Sequence, residues 1–259
     1  MNKIHKVDEC RVSIEVHLKE NEEINDLEYR NWKIIQNRKE FCFGVDSVLL
    51  SDFAKSIKPG SKVLDLGTGT GIIGMLLCGK SRLKSIIGIE IQEHVANMAN
   101  RSIKLNGLED KFQIINEDIR NLENIFEKQS IDVIVTNPPY KKKNTGLINK
   151  NEAKLISRHE VKCTLEEIIK VSVNLLKYDG TFYMVHRPER LVDILFYLRQ
   201  YKLEPKLIRF VHSRENKPPK LVLIKCVKNA NQFLKIDKPL IIYKENGEYT
   251  GEILKIYDK

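Results

Sequence analysis

The sequence lacks the features that would direct it to a membrane, a disulfide scaffold or a repeat fold. No apolar stretch approaches the roughly 20 residues that a membrane-spanning helix requires, and no apolar signal core follows the N-terminus. Internal repeats and low-complexity segments are also absent. The five cysteines are widely spaced without a CxxC pair, which argues against a disulfide framework and a zinc site. We therefore expect a cytoplasmic protein with no membrane partner and no metal ion.

The residues that are present suit one large α/β domain with small extensions. The chain has 259 residues, of which 42% are hydrophobic, and this is ample for a sizeable core. Charge is unevenly spread: residues 141–259 carry 25 Lys and Arg against 14 Asp and Glu, whereas residues 1–140 carry 19 against 21. Such a basic half is typical either of a solvated lysine surface or of a protein that binds a phosphate-rich partner.

Strand and helix patterns alternate between residues 62 and 200. Short apolar runs such as KVLDLG and SIIGIE are each followed by a segment with helical spacing. Runs that are apolar throughout are typical of parallel strands buried on both faces. Two further runs, KLIRFVH and LVLIKCVK, are joined only by SRENKPPK and predict an antiparallel pair. We therefore expect a Rossmann-like α/β fold, with a mostly parallel sheet of seven strands whose last strand is antiparallel.

The segments outside this alternation are expected to be small. We divide the chain into an N-terminal extension over 1–40, a main domain over 41–230 and a C-terminal tail over 231–259. The tail contains Asn246-Gly247, a dipeptide that favours a tight turn, so it predicts a β-hairpin. Within the main domain, residues 165–180 have helical spacing and end on glycine, which predicts one helix over that range.

A glycine-rich loop follows the first apolar run of the alternation. Residues 63–74 read VLDLGTGTGIIG, and Gly69, Gly71 and Gly74 satisfy the G-x-G-x-x-G pattern between a strand and a helix. Glu90 ends the next run, at the spacing at which dinucleotide-binding proteins place an acidic residue for a ribose. The pattern by itself therefore permits an NAD-dependent oxidoreductase.

Asp65 argues against a dinucleotide. It lies two residues before Gly67, where a carboxylate would repel a pyrophosphate and attract an ammonium or a sulfonium. S-adenosylmethionine has both cationic groups and no phosphate, so it suits this loop better. Glu90 could accept hydrogen bonds from its ribose diol, and Asp118, after the third run, could accept one from the amine of its adenine.

A rigid polar corner, Asn137-Pro138-Pro139-Tyr140, ends the fourth apolar run. Ligands of open α/β sheets bind at the carboxyl ends of the strands, so the corner should face the cofactor. The Asn137 side-chain oxygen and the Pro138 carbonyl could each accept one N–H of a planar amine, while Tyr140 offers a ring for stacking. The corner therefore predicts methyl transfer to an amine nitrogen that is conjugated with a ring or a carbonyl, without a strong general base.

The motifs DLGTGTG, GIE and NPPY, in this order, resemble those of the class I methyltransferases that modify exocyclic amines. A closer resemblance is to the bacterial tRNA(Val) adenine-N6 methyltransferases, which act on adenine 37 of the anticodon loop. It extends over most of the chain and includes FCFGVDSVLLSDFA at 41–54, RHE at 158–160, VHRPERL at 185–191, VLIKCVK at 222–228 and GEYTGEI at 247–253. The glycine loop and NPPY are shared widely among methyltransferases, whereas the 41–54 segment and the tail point to this smaller group.

This resemblance implies a set of cofactor contacts and a substrate site. The corner from Asn137 to Tyr140 would hold the target adenine, and Asn137 would also contact the cofactor. Phe43 and Asp46 would lie over the methionine end, where a ring and a carboxylate suit a sulfonium and an ammonium. The other expected contacts to S-adenosylmethionine are Asp65, Gly67, Gly69, Glu90, Ile91, Asp118 and Ile119.

Basic residues near the corner are expected to contact RNA. By the same resemblance the RNA is a tRNA, and we expect the protein to act on it as a monomer. Three lysines extend directly from Tyr140, and three more basic residues lie in the connection between the last two apolar runs. The expected RNA contacts are Lys141, Lys142, Lys143, Arg158, Arg187, Arg214, Lys217 and Lys220.

The sequence leaves other functions open. The same corner could hold a guanine amine of rRNA, or a glutamine side chain of a protein, although residues 1–40 are too few for the helical N-terminal domain of the glutamine-modifying enzymes. DNA adenine methyltransferases usually have a long recognition region, and the sequence contains none that we find. The alternative from a different class is a protein that binds RNA without chemistry. Loss of Asn137 or of the glycine loop would have favoured it, and both are present.

Overall fold

The computed structural model describes residues 4–5, 16–40, 44–140 and 163–259. The strands are β1 (Ile4–His5), β2 (Val16–His17), β3 (Glu22–Asp26), β4 (Lys33–Asn37), β5 (Lys62–Leu66), β6 (Ser85–Glu90), β7 (Phe112–Asn116), β8 (Ile131–Thr136), β9 (Leu176–His186), β10 (Leu203–His212), β11 (Pro219–Lys228), β12 (Lys235–Ile236) and β13 (Leu240–Ile241). The helices are α1 (Val45–Phe53), α2 (Ile72–Lys80), α3 (Glu93–Leu105), α4 (Leu165–Leu175), α5 (Leu191–Gln200) and α6 (Gly251–Ile256), with 3₁₀ helices at Ile119–Asn124 and Pro188–Arg190. No helix in these ranges combines the length and the apolar character needed to cross a membrane.

A nine-stranded sheet forms the centre of the molecule, in the order β12-β10-β11-β9-β8-β5-β6-β7, with β13 also paired to β10. Of its seven long strands, β11 runs antiparallel to both of its neighbours, and the other six share one direction. The expected Rossmann-like α/β fold is confirmed. The sheet has more strands than the expected seven because β12 and β13, of two residues each, pair in parallel with β10 and cover its open edge.

The glycine loop and the polar corner leave the sheet side by side. Leu66, the last residue of β5, pairs with Thr136 of β8 on one side and with Ile89 of β6 on the other. The strand order reverses between β5 and β8. At such a switch point the loops at the carboxyl ends of the two strands diverge and leave a crevice for a ligand.

Apolar side chains on both faces of the sheet form two core layers. Successive residues of a strand point to opposite faces, so Val133 and Val135 belong to the layer covered by α1, α2, α3 and α6. Ile134 belongs to the other layer, which α4 and α5 cover. Burial on both faces thus explains why these strands are apolar throughout.

The described part of the N-terminal extension contains an antiparallel hairpin, β3 and β4, that packs on α3. The Ile35 amide donates a hydrogen bond to Ser102 Oγ at 2.9 Å. Asn106 at the end of α3 accepts from the Lys33 amide at 2.9 Å and donates to the Lys33 carbonyl at 2.7 Å. These contacts hold the hairpin on the main domain, and the boundary at residue 40 stays a prediction.

The C-terminal tail differs from the expected β-hairpin. Asn246-Gly247 does form a turn, with a φ of 88° at its glycine, but the antiparallel contacts across it are confined to residues 242–250, where Tyr243 bridges to Tyr249. The Thr250 side chain then caps the start of α6, so the chain continues as a helix instead of a returning strand. Because α6 buries apolar side chains in the same core layer as α1, the tail packs against the main domain. The boundary at residue 231 stays a prediction.

Candidate active site

The loop after β5 presents its backbone on the open side of the crevice. Gly67, Gly69 and Gly71 have φ values of 71°, 58° and 87°, a conformation that residues with a Cβ rarely adopt. A Cβ added at Gly67 or Gly69 would meet no atom within 4 Å. A ligand can therefore approach this part of the backbone closely.

Asp65 lies beneath the loop and has no exposed surface. Its Oδ2 atom accepts the Thr68 hydroxyl at 2.6 Å, whereas its Oδ1 atom has no hydrogen-bond partner among the described residues. Burial raises the pKa of the Asp65 carboxyl to about 7, against the lowering effects of the Thr68 hydroxyl and of the nearby Gly74 amide. A cation beside Oδ1 would favour the ionised carboxylate and compensate for the missing partner.

Glu90, at the end of β6, links the glycine loop to the turn that follows. Only 6% of this residue is exposed. Its Oε2 atom accepts the Gly69 amide at 3.1 Å, and its Oε1 atom accepts the Gln92 amide at 2.9 Å. A carboxylate offers about four acceptor positions, so Glu90 keeps capacity for the hydroxyl groups of a ligand.

Asp118 follows β7 and begins a 3₁₀ helix. Two residues earlier, Asn116 pairs with Glu90, which puts Asp118 at the same end of the sheet. The Asp118 carboxylate accepts the Arg120 amide at 2.9 Å and forms an ion pair with the Arg120 guanidinium at 2.6 Å. The expected contact of Asp118 with an adenine stays a prediction, as do those of the half-buried residues Ile91 and Ile119.

Asn137 leaves β8 beside the first turn of α1. Its Nδ2 atom donates to Ser47 Oγ at 3.2 Å, and its Oδ1 atom lies 2.8 Å from the Tyr140 hydroxyl. The same hydroxyl lies 2.6 Å from Asp46 Oδ2. Because it has one hydrogen, Tyr140 donates to one of these oxygens at a time, and the Asp46 carboxylate is the stronger acceptor. Asn137 Oδ1 therefore keeps capacity to accept an incoming N–H group.

The half-buried Tyr140 ring packs against residues at the end of β9. Its centroid lies 5.1 Å from that of the His186 ring and 5.0 Å from the Arg187 guanidinium. Burial raises the pKa of Tyr140 above its usual value, and the Asp46 carboxylate adds to this, so the hydroxyl stays protonated at neutral pH. Burial also lowers the pKa of His186 to about 4, so this imidazole is neutral. The Tyr140 and His186 rings therefore provide neutral faces and hydrogen-bonding groups, not a strong base.

Four of the expected RNA contacts lie together beyond the corner. The exposed Arg187 donates from Nη1 to the Lys220 carbonyl at 3.2 Å. Arg214 and Lys217, in the connection between β10 and β11, line one cavity together with Lys220, the second residue of β11. Five other expected site residues lie outside the described ranges: Phe43, Lys141, Lys142, Lys143 and Arg158.

The site also contains two hydroxyl side chains that the sequence patterns do not predict. Ser47 holds the Asn137 amide, and Thr68 holds Asp65. Ser47 lies in the 41–54 segment that carries the closer resemblance, and Thr68 lies within the glycine loop, but hydroxyls beside site residues are too common to indicate a role. Across the described ranges, no group of three or more His, Cys, Asp or Glu side chains could hold a metal ion.

Three curated proteins from different bacteria that are similar to this chain share one name. A tRNA1(Val) (adenine(37)-N6)-methyltransferase from Porphyromonas gingivalis is 28% identical, over 88% of this chain and 91% of that protein. Proteins of the same name from Pedobacter heparinus and Photobacterium profundum are 26% and 24% identical, over 87% and 82% of this chain and 93% and 87% of theirs. The similarity therefore extends over most of both chains.

Two solved structures with the same fold are also described as methyltransferases. A predicted O-methyltransferase from Agrobacterium tumefaciens has a TM-score of 0.68 at 16% identity, covering 82% of this chain and 95% of that one. Geranyl diphosphate C-methyltransferase from Streptomyces coelicolor, solved with S-adenosyl-L-homocysteine, has a TM-score of 0.53 at 12% identity, covering 71% and 80%. At these identities the likeness establishes the fold alone.

Residues 44–195 match the family described as Methyltransferase small domain. The matched range contains the glycine loop, Glu90, Asp118 and the corner that begins at Asn137. It covers more than half of the chain, and the resemblance to methyltransferases that the sequence predicts is confirmed. The chain belongs to the methyltransferase small domain family.

Proposed function

We propose that this protein transfers a methyl group from S-adenosylmethionine to the exocyclic N6 of an adenine in tRNA, with adenine 37 of a tRNA(Val)-type anticodon loop as the target. The observation that carries this proposal is the position of Asn137, beside the glycine loop, with its Oδ1 atom able to accept an N–H group. The names of the relatives from Porphyromonas gingivalis and Pedobacter heparinus support the choice of base and RNA.

The acidic side chains and the open backbone of the crevice fit S-adenosylmethionine. Asp65 Oδ1 is buried without a hydrogen-bond partner, so a nearby cation would stabilise its negative charge. Glu90 can accept hydrogen bonds from the ribose hydroxyls. The open backbone at Gly67 and Gly69 leaves room for the cofactor. When bound, the cofactor supplies an electrophilic methyl group on a positively charged sulfur. Asp46, Asp118, Ile91 and Ile119 complete the proposed set within the described residues.

The corner would act by positioning the target amine. The lone pair of an adenine amine is delocalised into the ring, so the nitrogen is a poor nucleophile. Asn137 Oδ1 and the Pro138 carbonyl would each accept one of its N–H groups and favour a tetrahedral nitrogen, whose lone pair can then attack. Ser47 keeps the Asn137 amide in this orientation.

Tyr140 would provide the stacking face for the adenine. Its hydroxyl is held by Asp46, so the ring has a defined position, and its raised pKa excludes it as a base. The exposed Arg187 side chain lies over this ring, and an entering adenine would take its place or stack against it. No strong base is required, because the proton leaves after the nitrogen has become cationic.

The basic residues beyond the corner would bind the RNA backbone. Arg187 joins the corner to the cavity lined by Arg214, Lys217 and Lys220, so positive charge continues outward from the target position. The proposal also includes a monomer that acts on tRNA in the cytoplasm.

The test is methyl transfer from labelled S-adenosylmethionine to unmodified tRNA, with rRNA and a protein substrate assayed in parallel. The expected product is N6-methyladenosine in tRNA, identified by mass after digestion to nucleosides. Asn137→Ala should abolish it, whereas Asn174→Ala should not, because Asn174 is bonded to Glu123 outside the crevice.

Three other results would contradict the proposal. N2-methylguanosine in rRNA or methylglutamine in protein would keep the chemistry and replace the substrate. Absence of label from every pool, with S-adenosylhomocysteine still bound, would favour a protein that binds RNA without chemistry.

A further inference from the structure

A cavity of about 500 Å³ lies where the turn between β10 and β11 meets the C-terminal tail. Three positively charged side chains, a hydroxyl and an aromatic ring contribute to it. The lining residues are Ser213, Arg214, Lys217, Pro218, Lys220 and Tyr243.

The aromatic ring of this cavity is held in place by the tail. The Tyr243 amide donates to the Ser213 carbonyl at 2.9 Å, and Tyr243 bridges to Tyr249. The rings of Tyr243 and Tyr249 stack with centroids 5.3 Å apart and planes at 13°, and Tyr249 stacks on Tyr257 at 5.9 Å and 21°. Tyr243 ends this row of three rings and is 37% exposed. The Tyr243 side chain is therefore already held in position, and it loses little conformational freedom when a ligand stacks on its outer face.

The cavity and the catalytic corner lie at the same end of the sheet. His186, the last residue of β9, pairs with Val222 near the start of β11, so the turn that precedes β11 extends beyond the end of β9. Arg187 bridges the two places, since its guanidinium lies 5.0 Å from the centroid of the Tyr140 ring and donates to the Lys220 carbonyl. A strand of nucleic acid held at the corner can therefore continue into the cavity.

The chemistry of the lining selects a nucleotide of single-stranded nucleic acid. An exposed ring stacks on any base, and flanking Lys and Arg side chains neutralise the phosphates. We propose that this cavity binds a nucleotide of the RNA substrate close to the target adenine, with its base on Tyr243 and its phosphate on Arg214, Lys217 and Lys220. This inference rests on the proposed function, because the ligand is the same RNA.

Substitution of Tyr243 tests the stacking contact. Tyr243→Ala should weaken binding of a fluorescein-labelled single-stranded RNA oligonucleotide by about 10-fold, since base stacking on a ring contributes roughly that factor or more. The KM for tRNA should rise by a similar factor while kcat changes little. Tyr243→Phe should retain binding. Tyr178→Ala is the matched control because Tyr178 is 67% exposed and lies near the other end of β9.

Further measurements separate loss of the subsite from loss of the fold and test the phosphate contact. Thermal stabilisation by S-adenosylhomocysteine should be the same in all variants. Should Tyr243→Ala unfold, Tyr243→Leu decides the question, because leucine keeps apolar bulk beside Tyr249 and removes the flat face. Lys217→Ala should lower the slope of log affinity against log salt by about 1, as loss of one phosphate contact predicts.

The outcomes distinguish this inference from the proposed function. If the Tyr243 and Tyr178 variants bind and methylate RNA equally, the subsite is wrong even though the enzyme acts on tRNA. If the wild-type protein methylates no tRNA, yet RNA binding still depends on Tyr243, the proposed function is wrong and the subsite stands.

Discussion

At the scale of single residues, the site depends on which polar atoms are bonded within the chain and which remain for a ligand. Asn137 has its amide nitrogen bonded to Ser47, and its oxygen shares the Tyr140 hydroxyl with Asp46. Asp65 has one oxygen bonded and the other without a partner among the described residues. The oxygen atoms that can still accept a contact from a ligand, Asn137 Oδ1 and Asp65 Oδ1, are those that the proposed reaction uses.

Ser47→Ala should lower kcat for methyl transfer by about 5- to 10-fold, because one hydrogen bond of ~1 kcal/mol orients the Asn137 amide. Binding of S-adenosylhomocysteine should not change. The matched control is Ser51→Ala on the same helix, since Ser51 is also buried but donates to the Val48 carbonyl. Equal values of kcat for the two variants would contradict a positioning role for Ser47.

Asp65→Asn should change how stability depends on pH. The Asp65 pKa is about 7 in the folded protein and 3.8 in the reference state, so folding favours the protonated carboxyl. Its contribution is fully present below about pH 4 and is lost as the pH rises through about 7. The free energy of unfolding of the wild type, relative to Asp65→Asn, should therefore fall over this window in urea titrations without cofactor. If the difference in free energy of unfolding between the wild type and Asp65→Asn did not change with pH, the raised pKa of the buried carboxyl would be wrong.

At the scale of elements, the end of α4 shows what local pattern does not predict. The helical spacing over 165–180 predicts one helix, but α4 ends at Leu175 and β9 begins at the next residue. Lys228 of β11 donates from Nζ to the Val173 and Leu176 carbonyls at 2.6 and 2.7 Å. Backbone carbonyls at the end of the helix thus accept hydrogen bonds from a residue more than 50 positions away, and helical periodicity does not reveal such a partner.

Gly74→Ala should lower the free energy of unfolding by up to about 2 kcal/mol, because overpacking costs about 1–3 kcal/mol and the gain in helix propensity returns roughly 1 kcal/mol. A Cβ at this position of α2 would overlap Cζ of Phe112, a buried ring of β7. Gly251→Ala at the start of α6 is the control, because its Cβ would meet no atom within 4 Å. Urea titration of both variants checks this, and equal stability would contradict the close approach of α2 to Phe112.

At the scale of the whole molecule, the proposed cofactor contacts and the proposed RNA contacts lie on opposite sides of the switch point between β5 and β8. The acidic residues Asp65, Glu90 and Asp118 lie within, at the end of and just after β5, β6 and β7 respectively, on one side of the switch point. The basic residues from Arg187 to Lys220 follow β9 and β10 on the other side. A cationic cofactor and a polyanionic substrate would thus meet at the corner after β8, between the two groups.

S-adenosylhomocysteine should stabilise the protein, whereas NAD should not. A ligand that binds only the folded state adds about 2.7 kcal/mol at 100 times its Kd, which in a protein of this size raises Tm by about 5–10 °C. The pyrophosphate of NAD would meet Asp65 and Glu90, so the same concentration should leave Tm unchanged. Thermal unfolding with each ligand decides between them, and stabilisation by NAD alone would favour the oxidoreductase.

Sequence alone determined the fold class, the glycine loop and the polar corner, because hydrophobic period, glycine spacing and diproline stiffness are properties of contiguous residues. Tertiary structure decided which of these parts meet. Asp46 reaches Tyr140 across 94 positions of sequence, and Tyr243 reaches the turn that begins at Ser213 because the tail packs back on the domain. Such contacts depend on how the sheet orders its strands and on which edge the tail covers, and neither is encoded in a local pattern.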